Sequence, residues 1–122
     1  MKSRESTESF RQLAAKVKKF AAERDWDQFH SPKNLCMALS VECAELMEHF
    51  QWLTEEQSRS IPPATMAEVK EELADVLVYA MRLSQVLGVD LLAAGHAKLL
   101  VNAAKYPVEK SRGSAKKYSR LT

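Results

Sequence analysis

A chain of 122 residues has the size of one domain, and its 46% hydrophobic content can supply one core, which excludes wholesale disorder. Three glycines and four prolines are too few for a turn-dense β fold or a glycine-rich phosphate loop. With 18 basic against 16 acidic residues, the net charge of +2 points to neither a nucleic-acid partner nor a membrane surface.

In chain order, the opening Met1-Lys2-Ser3-Arg4-Glu5-Ser6 lacks the apolar core of a signal peptide. No later run approaches the roughly 18–20 apolar residues that cross a bilayer, so a cytoplasmic protein is expected. Phe10, Leu13, Val17 and Phe20 mark a first helix over roughly residues 7–24. A link rich in aromatics follows, Arg24-Asp25-Trp26-Asp27-Gln28-Phe29-His30. Ser31-Pro32 then predicts a helix start, with Ser as cap and Pro at the first position, where no amide partner is needed. This second helix is expected to reach about Trp52. Its Cys36 and Cys43 read as buried thiols. They lie about 10 Å apart along the axis at ~1.5 Å per residue, too far for a disulfide.

Residues 53–64 read as a connector with one helical turn at Glu55-Glu56-Gln57, closed by Pro62-Pro63. Thr65 with Glu68 predicts a capping box opening a third helix, and Gly88 its end. Asp90 caps a fourth helix that reaches about Lys105, and the basic tail 108–122 reads as irregular. The expected architecture is a single all-α domain over 1–122, a four-helix bundle-like protomer with two long central helices. Val41, Met47, Val78 and Val86 fall outside its apolar stripes and leave surface for a second copy to cover.

Two acidic pairs break the apolar pattern. In the second helix Leu35, Leu39, Leu46, Phe50 and Leu53 share a stripe about 60° wide on a helix wheel, with Glu42 inside it and Glu45 on its edge. In the third, Val69, Leu73, Val76, Ala80, Leu83 and Leu87 form the stripe, flanked by Glu72, Asp75 and Tyr79. A carboxylate on a core face needs a cation or a donor. If these helices pack together, Glu42, Glu45, Glu72 and Asp75 converge, and a hard divalent cation such as Mg²⁺ suits such oxygen ligands. A di-iron site would want Glu-x-x-His, whereas His49 follows Glu45 by four. The bland alternative is that each pair simply faces water on a solvated helix.

Beyond this chemistry, the chain resembles the all-α nucleoside triphosphate pyrophosphatase superfamily, the MazG-like enzymes, and within it the dCTP pyrophosphatase branch. The likeness runs from about Phe10 to Tyr118 and rests on the 20–30 segment ending Trp26-Asp27-Gln28-Phe29-His30. It continues through Glu42-Cys43-Ala44-Glu45-Leu46, Phe50-Gln51-Trp52, Glu71-Glu72-Leu73-Ala74-Asp75, and Lys105-Tyr106-Pro107 with Ser111–Tyr118. The resemblance implies Mg²⁺-dependent hydrolysis of a dNTP to dNMP and pyrophosphate, by dimers or tetramers whose sites combine subunits. It makes Glu42, Glu45, Glu72 and Asp75 metal ligands, places Trp26, Phe29, His30 and Trp52 around the base, and sets Tyr79, Lys98 and Asn102 at sugar or phosphate. It gives His49 no ligand role. The competing reading is a non-catalytic helical oligomer that binds nucleotide or protein, with the acids as a metal-dependent structural lock.

Overall fold

The computed structural model describes residues 9–122, in which all regular structure is helical. The chain divides into two compact units, Met1–Gly88 and Val89–Thr122. The first holds α1 (Phe10–Glu23), α2 (Pro32–Glu48), a single turn α3 (Glu55–Ser58) and α4 (Pro63–Leu87). Its start is fixed by a reciprocal cap. Ser9 Oγ accepts from Gln12 N at 3.2 Å, and Gln12 Oε1 accepts from Ser9 N at 2.7 Å. Residues 7 and 8 of the expected first helix lie outside the described residues.

Ser31 caps α2 as its position before Pro32 predicts, accepting from Asn34 N at 3.1 Å. The helix ends at Glu48, short of the predicted Trp52. The amides of Phe50 and Gln51 both return to Met47 O at 2.9 Å, which closes the chain into turns. The predicted Thr65/Glu68 capping box does not open α4. Pro63 takes the first helical position and Met66 N reaches Pro62 O at 2.9 Å, so Thr65 already lies inside the helix. Two successive prolines carry no amide hydrogen, and this leaves fewer donors for a side-chain cap to satisfy. Gly88 ends α4 at φ 70°, the left-handed stop its sequence position predicts.

Both α1 and α2 pack on α4. The apolar residues fully enclosed there are few: Ala21, Leu35, Val69 and Met81. Leu39, Leu46, Phe50, Val76, Ala80 and Leu83 of the predicted stripes are half-buried. Leu73 and Leu87 are 51% and 55% exposed, against expectation. Cys36 and Cys43 are exposed free thiols, not buried ones. Each follows an inward residue, Leu35 or Glu42, and a one-residue step turns about 100° away from the packed face.

The second unit begins with Asp90, whose Oδ1 accepts from Ala93 N at 3.0 Å and caps α5 (Leu91–Lys105). The tail expected to be irregular forms two short turns, α6 (Val108–Ser111) and a 3-10 turn at Tyr118–Arg120. Tyr118 meets Tyr106 edge to face at 6.1 Å, and Lys105 Nζ stands 4.8 Å from the Tyr118 ring centre. Among the described residues no single helix is long and apolar enough to cross a membrane.

Candidate functional site

The packing of α2 on α4 brings Glu42, Glu45 and Glu72 together, one carboxylate oxygen of each lying within 4.8 Å of the others. All three are half-buried. The spacing explains the convergence: Glu42 and Glu45 share one turn of α2, and Glu72 stands on the flank of α4 that faces it. Glu42 Oε2 is buried with no hydrogen-bond partner, a condition that costs free energy unless a cation or a proton supplies it. Burial, first of all, pushes the Glu42 carboxyl up to about 7; contact with Glu45 adds to this, as do the charges of Glu45, Asp75 and Glu72. An orphaned buried oxygen among convergent carboxylates is the donor set that a hard divalent cation fits. Asp75 is exposed and outside the tight trio, yet its charge is felt at Glu42.

Asp75 also lines a cavity of about 430 Å³ between α1, α4 and the 24–31 link. One wall is apolar, from Val17, Phe20, Ala21, Trp26 and Val78, and the polar lining comes from Lys16, His30, Tyr79 and Arg82. Trp26 packs edge to face on Phe20 at 5.6 Å and stands 6.1 Å from the His30 ring. Phe20, one of the apolar residues that mark the first helix, is half exposed and forms part of this wall. The link turns sharply at Asp25, where φ is 54°, and Gln28 Nε2 bridges that residue's carbonyl and Oδ2 at 3.1 and 2.9 Å.

Arg82 anchors the link from below. It is 7% exposed, donating Nε–H to His30 Nδ1 at 2.9 Å, Nη1–H to Gln85 Oε1 at 3.2 Å, and Nη2–H to Asp27 Oδ1. Gln85 in turn donates to Ala14 O on α1 at 2.7 Å. A guanidinium only donates, so His30 Nδ1 accepts and the ring hydrogen lies on Nε2. Burial holds the His30 pKa below its ordinary value, helped by the Arg82 charge and opposed by Asp27.

Of the residues singled out by sequence, Glu42, Glu45 and Glu72 form the cluster, while Trp26, His30, Tyr79 and Asp75 line the cavity. Phe29 and Trp52 are 61% and 86% exposed and outside the cavity lining. Lys98, exposed, and Asn102, half-buried, stand on α5 in the second unit.

Sequence reasoning missed Arg82 and His49. His49 Nε2 is 2.8 Å from Glu72 Oε2, and its Nδ1 is 3.6 Å from Glu68 Oε2. Both were signalled by spacing. His49 continues the Glu42/Glu45 face one turn on, and Arg82 extends the Glu72/Asp75/Tyr79 flank at the next helical step.

A profile of the MazG-like family matches residues 37–121. The dCTP pyrophosphatase 1 of Mus musculus is 48% identical over 116 residues, covering 93% of this chain and 66% of that protein. The one from Homo sapiens is 43% identical, with the same 93% and 66% coverage. The chain thus spans about two thirds of the length of these relatives. A crystal structure of a pyrophosphatase from Archaeoglobus fulgidus aligns with a TM-score of 0.75 at 36% identity, over 80% of this chain and 91% of that one. From the family profile over residues 37–121 and from relatives 43–48% identical over 116 residues, the chain belongs to the MazG-like family.

Proposed function

We propose that the chain is a Mg²⁺-dependent nucleoside triphosphate pyrophosphohydrolase. It takes a deoxynucleoside triphosphate, dCTP or a related pyrimidine, with water to the monophosphate and pyrophosphate, and clears unwanted nucleotides from the pool. The observation that carries this reading is the orphaned Glu42 oxygen within a three-carboxylate cluster, linked through Asp75 to an aromatic-walled cavity. The names of the relatives, dCTP pyrophosphatase 1, favour this chemistry and base.

A triphosphate carries about four negative charges, so an acidic cluster holds it only with cations between them. Glu42, Glu45, Glu72 and Asp75 are the residues that would hold those cations. When bound, the metal neutralises phosphate oxygens and activates the attacking water. Burial and the neighbouring carboxylates raise the Glu42 carboxyl to about 7, so a cation entering the cluster would compete with a proton there. Trp26 offers a face for the base, and His30 offers an Nε2 hydrogen as a donor. Tyr79, between Asp75 and the cavity, is assigned to the sugar. Lys98 and Asn102 are assigned sugar or phosphate contacts on the family resemblance alone.

The reading includes a homo-oligomer, dimer or tetramer, in a cytoplasmic setting, acting as one MazG-like domain with the basic tail 108–122. Exposed apolar side chains on and after α2 support the oligomer: Met37, Val41, Met47 and Trp52. Phe29 and Trp52, outside this chain's own cavity, would then serve a neighbouring subunit's base pocket.

The test is a panel of dNTPs incubated with Mg²⁺ and assayed separately for pyrophosphate and orthophosphate. Pyrophosphate release, fastest with a pyrimidine deoxynucleotide, is the expected result. Orthophosphate release overturns it, and nucleotide binding without turnover favours the non-catalytic oligomer.

A further inference from the structure

His49 is the first residue beyond α2 and keeps helical backbone angles, φ −70° and ψ −19°. Its side chain therefore lies almost directly beyond Glu42, seven positions along the same face. The ring is 19% exposed and reaches across to α4, where Nε2 meets Glu72 Oε2 at 2.8 Å. A carboxylate oxygen only accepts, so this bond places the ring hydrogen on Nε2. On the ring's other edge, Nδ1 is 3.6 Å from Glu68 Oε2, one turn before Glu72.

We propose that His49 is a positioning residue for the divalent-cation centre, tethering Glu72 through Oε2 so that Oε1 is presented to the ion. The inference rests on the metal reading above and names a residue to which that reading gives no part. Without a tether, Glu72 has every electrostatic reason to rotate away from Glu42 and Glu45, since three carboxylates repel one another at this range. Glu72 reaches the cluster from another helix, so its rotation alone would dissolve the site while leaving Glu42 and Glu45 in place. The His49 bond removes that freedom before any cation arrives, and an ion then meets a gathered cluster. It also restricts Glu72 to one free oxygen, which suits the strict octahedral geometry of Mg²⁺ better than a two-oxygen grip. Groups that hydrogen-bond a metal-ligating residue typically change metal affinity by about 10–100-fold.

The experiment is Mn²⁺ binding to the full chain without nucleotide, followed by electron paramagnetic resonance. The chain is compared with His49→Leu, His49→Gln and Glu42→Gln, and circular dichroism checks the fold. His49→Leu is expected to weaken Mn²⁺ by about 10–100-fold. His49→Gln, whose amide can donate to the same oxygen, should recover most of that loss. Unchanged Mn²⁺ affinity in His49→Leu overturns the proposal, and so does a His49→Gln no better than His49→Leu. Should His49→Leu unfold, His49→Asn, polar but too short to reach Glu72, takes its place against His49→Gln. Glu42→Gln separates the two readings. If it abolishes Mn²⁺ binding while His49→Leu does not weaken it, His49 positioning fails and the metal centre stands. If Glu42→Gln binds Mn²⁺ as tightly as the unaltered chain, or the unaltered chain does not bind it at all, both fail together.

Discussion

Arg82 and Glu42 are both ionisable residues turned inward on packed helices, yet their surroundings differ in kind. Three side chains meet the Arg82 guanidinium, and every one of them accepts a hydrogen bond. Glu42 is met by other carboxylates and keeps an unpartnered oxygen. A fully answered charge serves the fold: Arg82 ties the aromatic link to α4 and, through Gln85, to α1. An unanswered charge is a standing cost that folding alone does not explain, and it becomes useful once something from outside completes it.

The sharpest way to break this contrast is to remove a carboxylate. Glu72→Ala should lower turnover by about a thousandfold or more, about 4 kcal/mol of transition-state stabilisation, with helical content unchanged by circular dichroism. Activity within tenfold of the parent at saturating Mg²⁺ would remove the cluster from the mechanism. At the other end, Arg82→Ala should act on stability. Losing charged hydrogen bonds to Asp27 and His30 costs about 2–3 kcal/mol, read as a lower urea midpoint, with kcat changed less than KM. A kcat collapse with an unshifted midpoint would make Arg82 part of the chemistry.

Trp26→Ala tests the wall that Arg82 supports. Stacking of a base on an aromatic ring is worth about 1–3 kcal/mol, so KM should rise between about five- and a hundredfold while kcat holds. The last test concerns Glu42 without metal. Its carboxyl is raised from 4.5 to about 7 in the fold, so its contribution to stability is greatest below about 4.5 and is lost as the pH rises to about 7. Thermal melts in chelator should fall across that window, and Glu42→Gln should flatten the slope. Parallel slopes would mean that Glu42 meets ordinary solvent.

The four long helices and three of their caps were legible because hydrophobic spacing, Ser31-Pro32, Gly88 and Asp90 are local signals. The acidic trio was legible for a related reason, since a carboxylate inside a leucine stripe is a local violation. What escaped were partners chosen across helices. Arg82 looks like a surface cation until Asp27 and His30 fold onto it, and His49 looks like a misplaced ligand until Glu72 arrives from α4. The start of α4 escaped because Thr65-x-x-Glu68 satisfies a capping pattern that the prolines at 62 and 63 make redundant. Buried cysteines and a buried Leu73 were misjudged because the described residues enclose so few side chains.

Asp25 carries a consequence for tailoring the cavity. Among the described residues it is the non-glycine residue at positive φ, in a region tolerated by Asn, Asp and Gly but hostile to branched side chains. The direction in which the chain leaves α1, and with it the place of the indole at position 26, is thus written in one backbone angle. Exchanging Asp25 for a branched residue such as Val would shift that angle and the width of the opening with it, while leaving every lining side chain chemically intact.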